Sequence, residues 1–81
     1  MKKQTSVFVG VVEHRYGTNF YASKTWAGLR RQVAEYCREY WSAVRNTVGK
    51  IPPEDDPLCI ELYFEAHKDE SFLCEETQLG E

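Results

Sequence analysis

The sequence predicts a small α+β domain, a three-stranded antiparallel sheet with helices packed on one face, in the order β-β-α-α-β. Three observations carry this. A dense run of β-formers opens the chain (Val7, Phe8, Val9, Val11, Val12). A long stretch of apolar residues at three- and four-residue spacing follows it, the period of an amphipathic helix. An Asp-Pro pair then stands at the head of a second apolar segment, a helix-start signal. At 81 residues the chain is read as one domain, 1–81, because its length leaves no room for a second core.

Each element has its own reason. Thr5 to Val12 is apolar at consecutive positions, the pattern of a strand buried on both faces. Gly10 interrupts it and marks either a close approach or a bulge. His14-Arg15-Tyr16-Gly17-Thr18 reads as a hairpin turn, with Gly17 free to take positive φ. Asn19 to Ser23 returns as the second strand. Ser23 or Thr25 can cap a long helix that runs to about Val48, where Gly49 stops it. Its apolar stripe, expected to pack on the sheet, is Trp26, Leu29, Val33, Tyr36, Cys37, Tyr40, Val44 and Val48. Trp41 falls at the edge of that stripe.

Ile51-Pro52-Pro53-Glu54-Asp55-Asp56 is a stiffened loop. Asp56 as N-cap and Pro57 at the first helical position then favour a helix from Pro57 to His67. A strand is the competing reading, because Leu58, Ile60, Leu62, Phe64 and Ala66 alternate with Cys59, Glu61, Tyr63, Glu65 and His67. Phe72 to Leu79 is the last strand. The open face and exposed edge of so small a sheet are where it would meet a partner.

Charge is unevenly placed. The formal net charge is −3, yet residues 1–50 carry nine of the ten Lys and Arg and residues 51–81 carry ten of the thirteen acids. The two halves can neutralise each other, or an acidic face can be left for a basic partner. The acidic candidates are Glu54, Asp55 and Asp56 on the loop and Glu75 and Glu76 on the last strand. Arg15 and Tyr16 at the hairpin tip are side-chain types that anchor interfaces. The rival surface is basic: Lys24 and Arg30 with Arg31, Arg38 and Arg45, the last three spaced seven apart along one helix flank. Arg31–Glu35 and Glu35–Arg38 are spaced for pairing on that flank.

The residues do not assemble chemistry. No Gly-rich phosphate loop, HExxH or GxSxG occurs. His14 and His67 are far apart and in no ligand pair, so neither a metal nor a cofactor is expected. Cys59 and His67 lie about 12 Å apart along a helix, too far to form a nucleophile pair. A non-enzymatic protein is expected. Cysteine is odd in number, at Cys37, Cys59 and Cys74, and Met1-Lys2-Lys3 has no apolar segment behind it. Both favour a reducing, cytoplasmic setting, with an intermolecular disulfide through an exposed Cys59 or Cys74 as the alternative in oxidising buffer. No apolar run approaches the length of a membrane span.

The segments Glu13-His14-Arg15-Tyr16-Gly17-Thr18-Asn19 with Phe20-Tyr21, and Glu35-Tyr36-Cys37-Arg38-Glu39-Tyr40-Trp41, resemble small uncharacterised proteins of bacteriophages, plasmids and prophages. The Pro-Pro-Glu-Asp-Asp loop and Tyr63-Phe64-Glu65 fit the same pattern. The resemblance implies a protein that acts by binding and blocking, as anti-CRISPR proteins do. The expected function is therefore inhibition of a nuclease-defence complex by covering a basic surface. The alternatives are a nucleic-acid-binding accessory protein that uses the basic flank, and a structural homodimer, suggested by Trp41 at the edge of the buried stripe.

Overall fold

The computed structural model describes residues 5–79. The order is β1 (Thr5–His14), β2 (Gly17–Ser23), α1 (Trp26–Glu39), a 3₁₀ turn (Trp41–Ala43), α2 (Arg45–Val48), α3 (Asp56–Ala66) and β3 (Ser71–Leu79). The α+β class is as the sequence predicts, with the expected first helix divided into α1, the 3₁₀ turn and α2. All three strands are antiparallel, in the order β2-β1-β3. β1 is central, which accounts for its apolar run.

β1 and β2 meet in a two-residue turn, Arg15-Tyr16, with His14 opposite Gly17. Gly17 supplies the positive φ of 142°. The base of the hairpin is tied by side chains. His14 Nδ1 accepts from the Tyr16 backbone N–H, so its Nε2 carries the proton and donates to Asn19 Oδ1 at 3.2 Å. Asn19 Nδ2 in turn donates to Tyr21 Oη.

Pairing is continuous across Gly10, which lies opposite both Tyr21 and Cys74. Of the two meanings weighed for Gly10, close approach is the right one. A Cβ there would stand 3.0 Å from the Phe72 ring and 3.2 Å from Leu29 Cδ1.

α1 is capped by Thr25, whose Oγ1 accepts from the Gly28 N–H at 2.9 Å. It buries Leu29, Val33, Ala34, Tyr36 and Cys37. Trp26 is half-buried at its start, packed against Phe8 with centroids 4.4 Å apart and the rings tilted by 46°.

The long helix of the sequence reading is broken at Tyr40. The apolar spacing continues through Val44 and Val48, but the chain tightens into the 3₁₀ turn and restarts as α2. Tyr40 is therefore 49% exposed rather than part of the buried stripe. Trp41, expected at the edge, is instead only 3% exposed. Its indole donates to the Gly49 carbonyl at 2.8 Å, which folds the 41–49 segment back on itself. The hint of a homodimer drawn from Trp41 falls with this, since the ring is already covered.

α3 is a helix, and the strand alternation over the same residues is accidental. The cap is one residue earlier than expected: Asp55, not Asp56, accepts from Leu58 N at 3.0 Å. α3 buries Cys59, Ile60 and Tyr63. With α1, the 3₁₀ turn, Val44 and Val12 these close a core on one side of the sheet.

Cys59 is buried, so it is no candidate for an intermolecular disulfide; Cys74 is the exposed thiol. Burial pushes the Cys37 and Cys59 thiols up from their usual range, which leaves them protonated and inert at neutral pH.

Candidate interaction surfaces

The acidic loop is turned largely inward. Asp55 is spent on the helix cap. Asp56 pairs with Arg38 at 2.8 Å. The same Arg38 Nη2 donates to the Pro53 and Glu54 carbonyls at 3.0 and 2.9 Å. Arg38 thus clamps the loop to α1 across fifteen or more residues, and of the three loop acids only Glu54 keeps its carboxylate outside these contacts. Glu75 and Glu76 occupy opposite faces of β3, set by the strand's period of two. The five acids of the expected patch are not brought together as one surface.

The basic candidates are also dispersed. Arg38 is engaged with Asp56, Arg30 lines a groove between α1, α3 and β3, and Arg31 is exposed. Arg45 lies beyond the break at Tyr40, so the seven-residue spacing no longer holds it on one flank. Lys24 is exposed in the turn before α1. Among the described residues the one ion pair of permanently opposite charges is Arg38–Asp56, and His67 lies beside Glu70; the expected Arg31–Glu35 and Glu35–Arg38 pairs are not formed.

Arg15 and Tyr16 do project, Tyr16 with 86% of its surface exposed. They share a hollow of about 220 Å³ with His67, Asp69 and Glu70. Behind it lies a polar cluster that the sequence reading did not foresee. Tyr36 and Tyr63 both donate their hydroxyls to Glu70 Oε1 at 2.8 Å, and His67 Nε2 lies 3.4 Å from Oε2. Burial, and then the neighbouring Glu70 carboxylate, push both phenols well above their usual range. The cluster ties the α3–β3 connection to α1. Tyr36 lies 34 positions from Glu70, with no local motif to announce the pairing.

The outer face of the sheet, as far as it is described, is bare. Val12 on β1 is fully buried and Phe8 packs on Trp26, so Val7, Val9, Val11 and Glu13 point the other way. Register places Phe20 and Leu73 on either side of Val11. The two are 76% and 70% exposed. Ala22 and Val9 continue the apolar row on one side, with Glu75 opposite Val9 on β3. The charged residues of this face, among those described, are Glu13 and Glu75, both acidic. No helix crosses it, because α1 and α3 both lie on the inner side. The sequence reading expected an open face; which residues populate it follows only from the strand register.

Among the described residues no three or more His, Cys, Asp or Glu side chains gather as a metal could require, and no helix is long and apolar enough to cross a membrane. Comparison with family models, with curated proteins and with solved structures returns no match.

Proposed function

We propose that this chain is a non-enzymatic binding protein that seats the open face of its sheet on a partner protein and blocks the surface it covers. The observation that carries the reading is the Phe20–Val11–Leu73 row across all three strands, with Phe20 and Leu73 exposed on either side of a half-buried Val11 and acids at its border. Contiguous exposed apolar surface on a small domain marks an interaction site. An acidic border selects a partner whose apolar contact is ringed by Lys or Arg. It also disfavours a second copy of this chain, which would set Glu13 and Glu75 against their own kind.

Surfaces that hold nucleic-acid phosphates are basic. The resemblance to mobile-element proteins makes an inhibitor of a nuclease-defence complex the specific form of this proposal. The open face takes over the docking role first expected of the Glu54–Asp56 loop, whose Asp55 and Asp56 are engaged within the molecule.

The test compares the wild-type chain with a Phe20→Lys/Leu73→Lys variant. Each is used to capture partners from a bacterial host lysate, and the captured complex is then assayed for DNA binding and cleavage. The wild type should capture a complex and suppress its DNA binding, and the variant should do neither. Equal suppression by both, or no complex specific to the wild type, contradicts the proposal.

A further inference from the structure

The sheet has two edge strands, and they are finished differently. On β2 the Gln32 side chain reaches from α1 and donates to the Ala22 carbonyl at 2.9 Å, so that edge is partly closed. β3 is the other edge. Its inner face borders a groove of about 370 Å³ with apolar walls of Trp26, Leu29, Ile60 and Phe72, with Pro57 and Cys74 also lining it and the oppositely charged Arg30 and Glu61 at its sides. Phe64 stacks on Phe72 with centroids 5.6 Å apart and holds that wall in place. A free strand edge beside a groove that takes alternate side chains is the geometry of β-strand addition. The volume suits one large apolar side chain and falls in the range of binding pockets.

The geometry points to β3 as the docking edge for an extended, cationic peptide segment that adds as a fourth strand and buries one aromatic or aliphatic side chain in the groove. Charge chooses this occupant. From Phe72 to Gln78 the charged side chains of β3 are Glu75 and Glu76, on opposite faces of the strand. A fourth strand places one residue opposite each, and Lys or Arg there makes two cross-strand pairs of opposite charge. A second copy of this chain pairing antiparallel through the same edge brings acid against acid when centred on Glu75–Glu76, and in other registers leaves both acids without an opposite charge. On the inner face, the residue opposite Cys74 enters the groove and the residue two along faces Glu76. An antiparallel peptide, matching the rest of the sheet, therefore reads Arg-Lys-Phe in the N-to-C direction. This site shares Glu75 with the border of the open face but rests on the strand edge and the groove, and does not depend on the function proposed for that face.

The probe is a fluorescein-labelled peptide, Thr-Val-Arg-Lys-Phe-Thr-Val-Thr, acetylated and amidated at its ends, titrated with the intact protein at low salt. Saturable binding below ~1 mM is expected. Glu75→Lys/Glu76→Lys should weaken it about five- to tenfold. The same variant should prefer a peptide carrying Glu-Glu in place of Arg-Lys. Replacing the peptide's Phe by Ala should weaken binding about tenfold or more. Amide shifts should move along Phe72 to Gln78 together with the Trp26 indole, and Phe20→Lys should leave the affinity unchanged. Absence of saturation at 1 mM overturns the inference. So does an affinity indifferent to the charge reversal, or shifts confined to Val9, Val11 and Phe20.

Discussion

The two faces of β1 are built from nearly the same chemistry and meet opposite fates. Phe8, Gly10 and Val12 face inward, where Trp26 packs on Phe8, Leu29 crosses Gly10, and Val12 is wholly buried. Val7, Val9 and Val11 face outward, where Phe20 and Leu73 extend the apolar row and nothing crosses it. Composition does not separate the two faces. Connectivity does: α1 leaves β2 toward one side, and α3 packs against α1, so both helices fall on that side. The inner face stabilises the fold, and the outer face is left without a helix over it.

The sharpest way to break this comparison is to place a charge on the inner side. Val33→Asp puts an unpaired carboxylate in a fully buried position and should cost more than about 4 kcal/mol, enough to leave little folded protein by circular dichroism at 25 °C. Leu29→Ala removes a fully buried side chain and should cost about 2–5 kcal/mol in denaturant titration. Leu73→Ala on the outer face should stay within about 0.5 kcal/mol of wild type. Equal effects at Leu29 and Leu73 would erase the distinction between the faces.

Smaller effects sharpen it. Gly10→Ala drives a methyl toward Phe72 and Leu29 and should cost about 1–3 kcal/mol. Val9→Ala, its neighbour on the open face, should be close to neutral by the same thermal melts. Tyr63→Phe removes one of the two hydroxyls on Glu70 and should cost about 1.5–3 kcal/mol, as for a hydrogen bond to a charged group.

The pH dependence has a definite sign. Folding raises the pKa of both Tyr36 and Tyr63. Above the ordinary tyrosine value of about 10, the unfolded chain releases phenolic protons that the folded chain retains. Their contribution is thus whole below pH ~10 and declines as pH rises past it. Denaturant midpoints should fall between pH 9.5 and ~11, and Tyr63→Phe should flatten that fall.

The Glu54→Lys/Asp55→Lys/Asp56→Lys variant separates stability from binding. It removes the α3 cap, worth about 1 kcal/mol, and a partly exposed ion pair worth at most about 1 kcal/mol. Melting temperature should drop by several degrees. Partner affinity should hold, since these acids are not on the docking face.

How far the sequence reaches follows the range of the interactions. α3 is readable because its signals are local: an aspartate cap and a proline within three residues decide helix over strand. The central position of β1 is readable from its apolar run. The break at Tyr40 is not, because Val44 and Val48 keep helical spacing while the chain tightens to let Trp41 reach Gly49. The acidic loop misleads for a related reason. Asp56 looks free until Arg38, eighteen positions earlier, is folded against it. Likewise Phe20, Val11 and Leu73 span more than fifty residues, and only the strand order places them side by side.

The central claim, that the inner face holds the fold and the outer face holds the partner, is tested most directly on one protein, Phe20→Lys/Leu73→Lys. Its melting temperature and its suppression of DNA binding by the captured complex are measured side by side with wild type. The account predicts a melting temperature within about 2 °C of wild type, as for exposed positions, together with loss of suppression. A large drop in melting temperature, or full suppression by the variant, would contradict it.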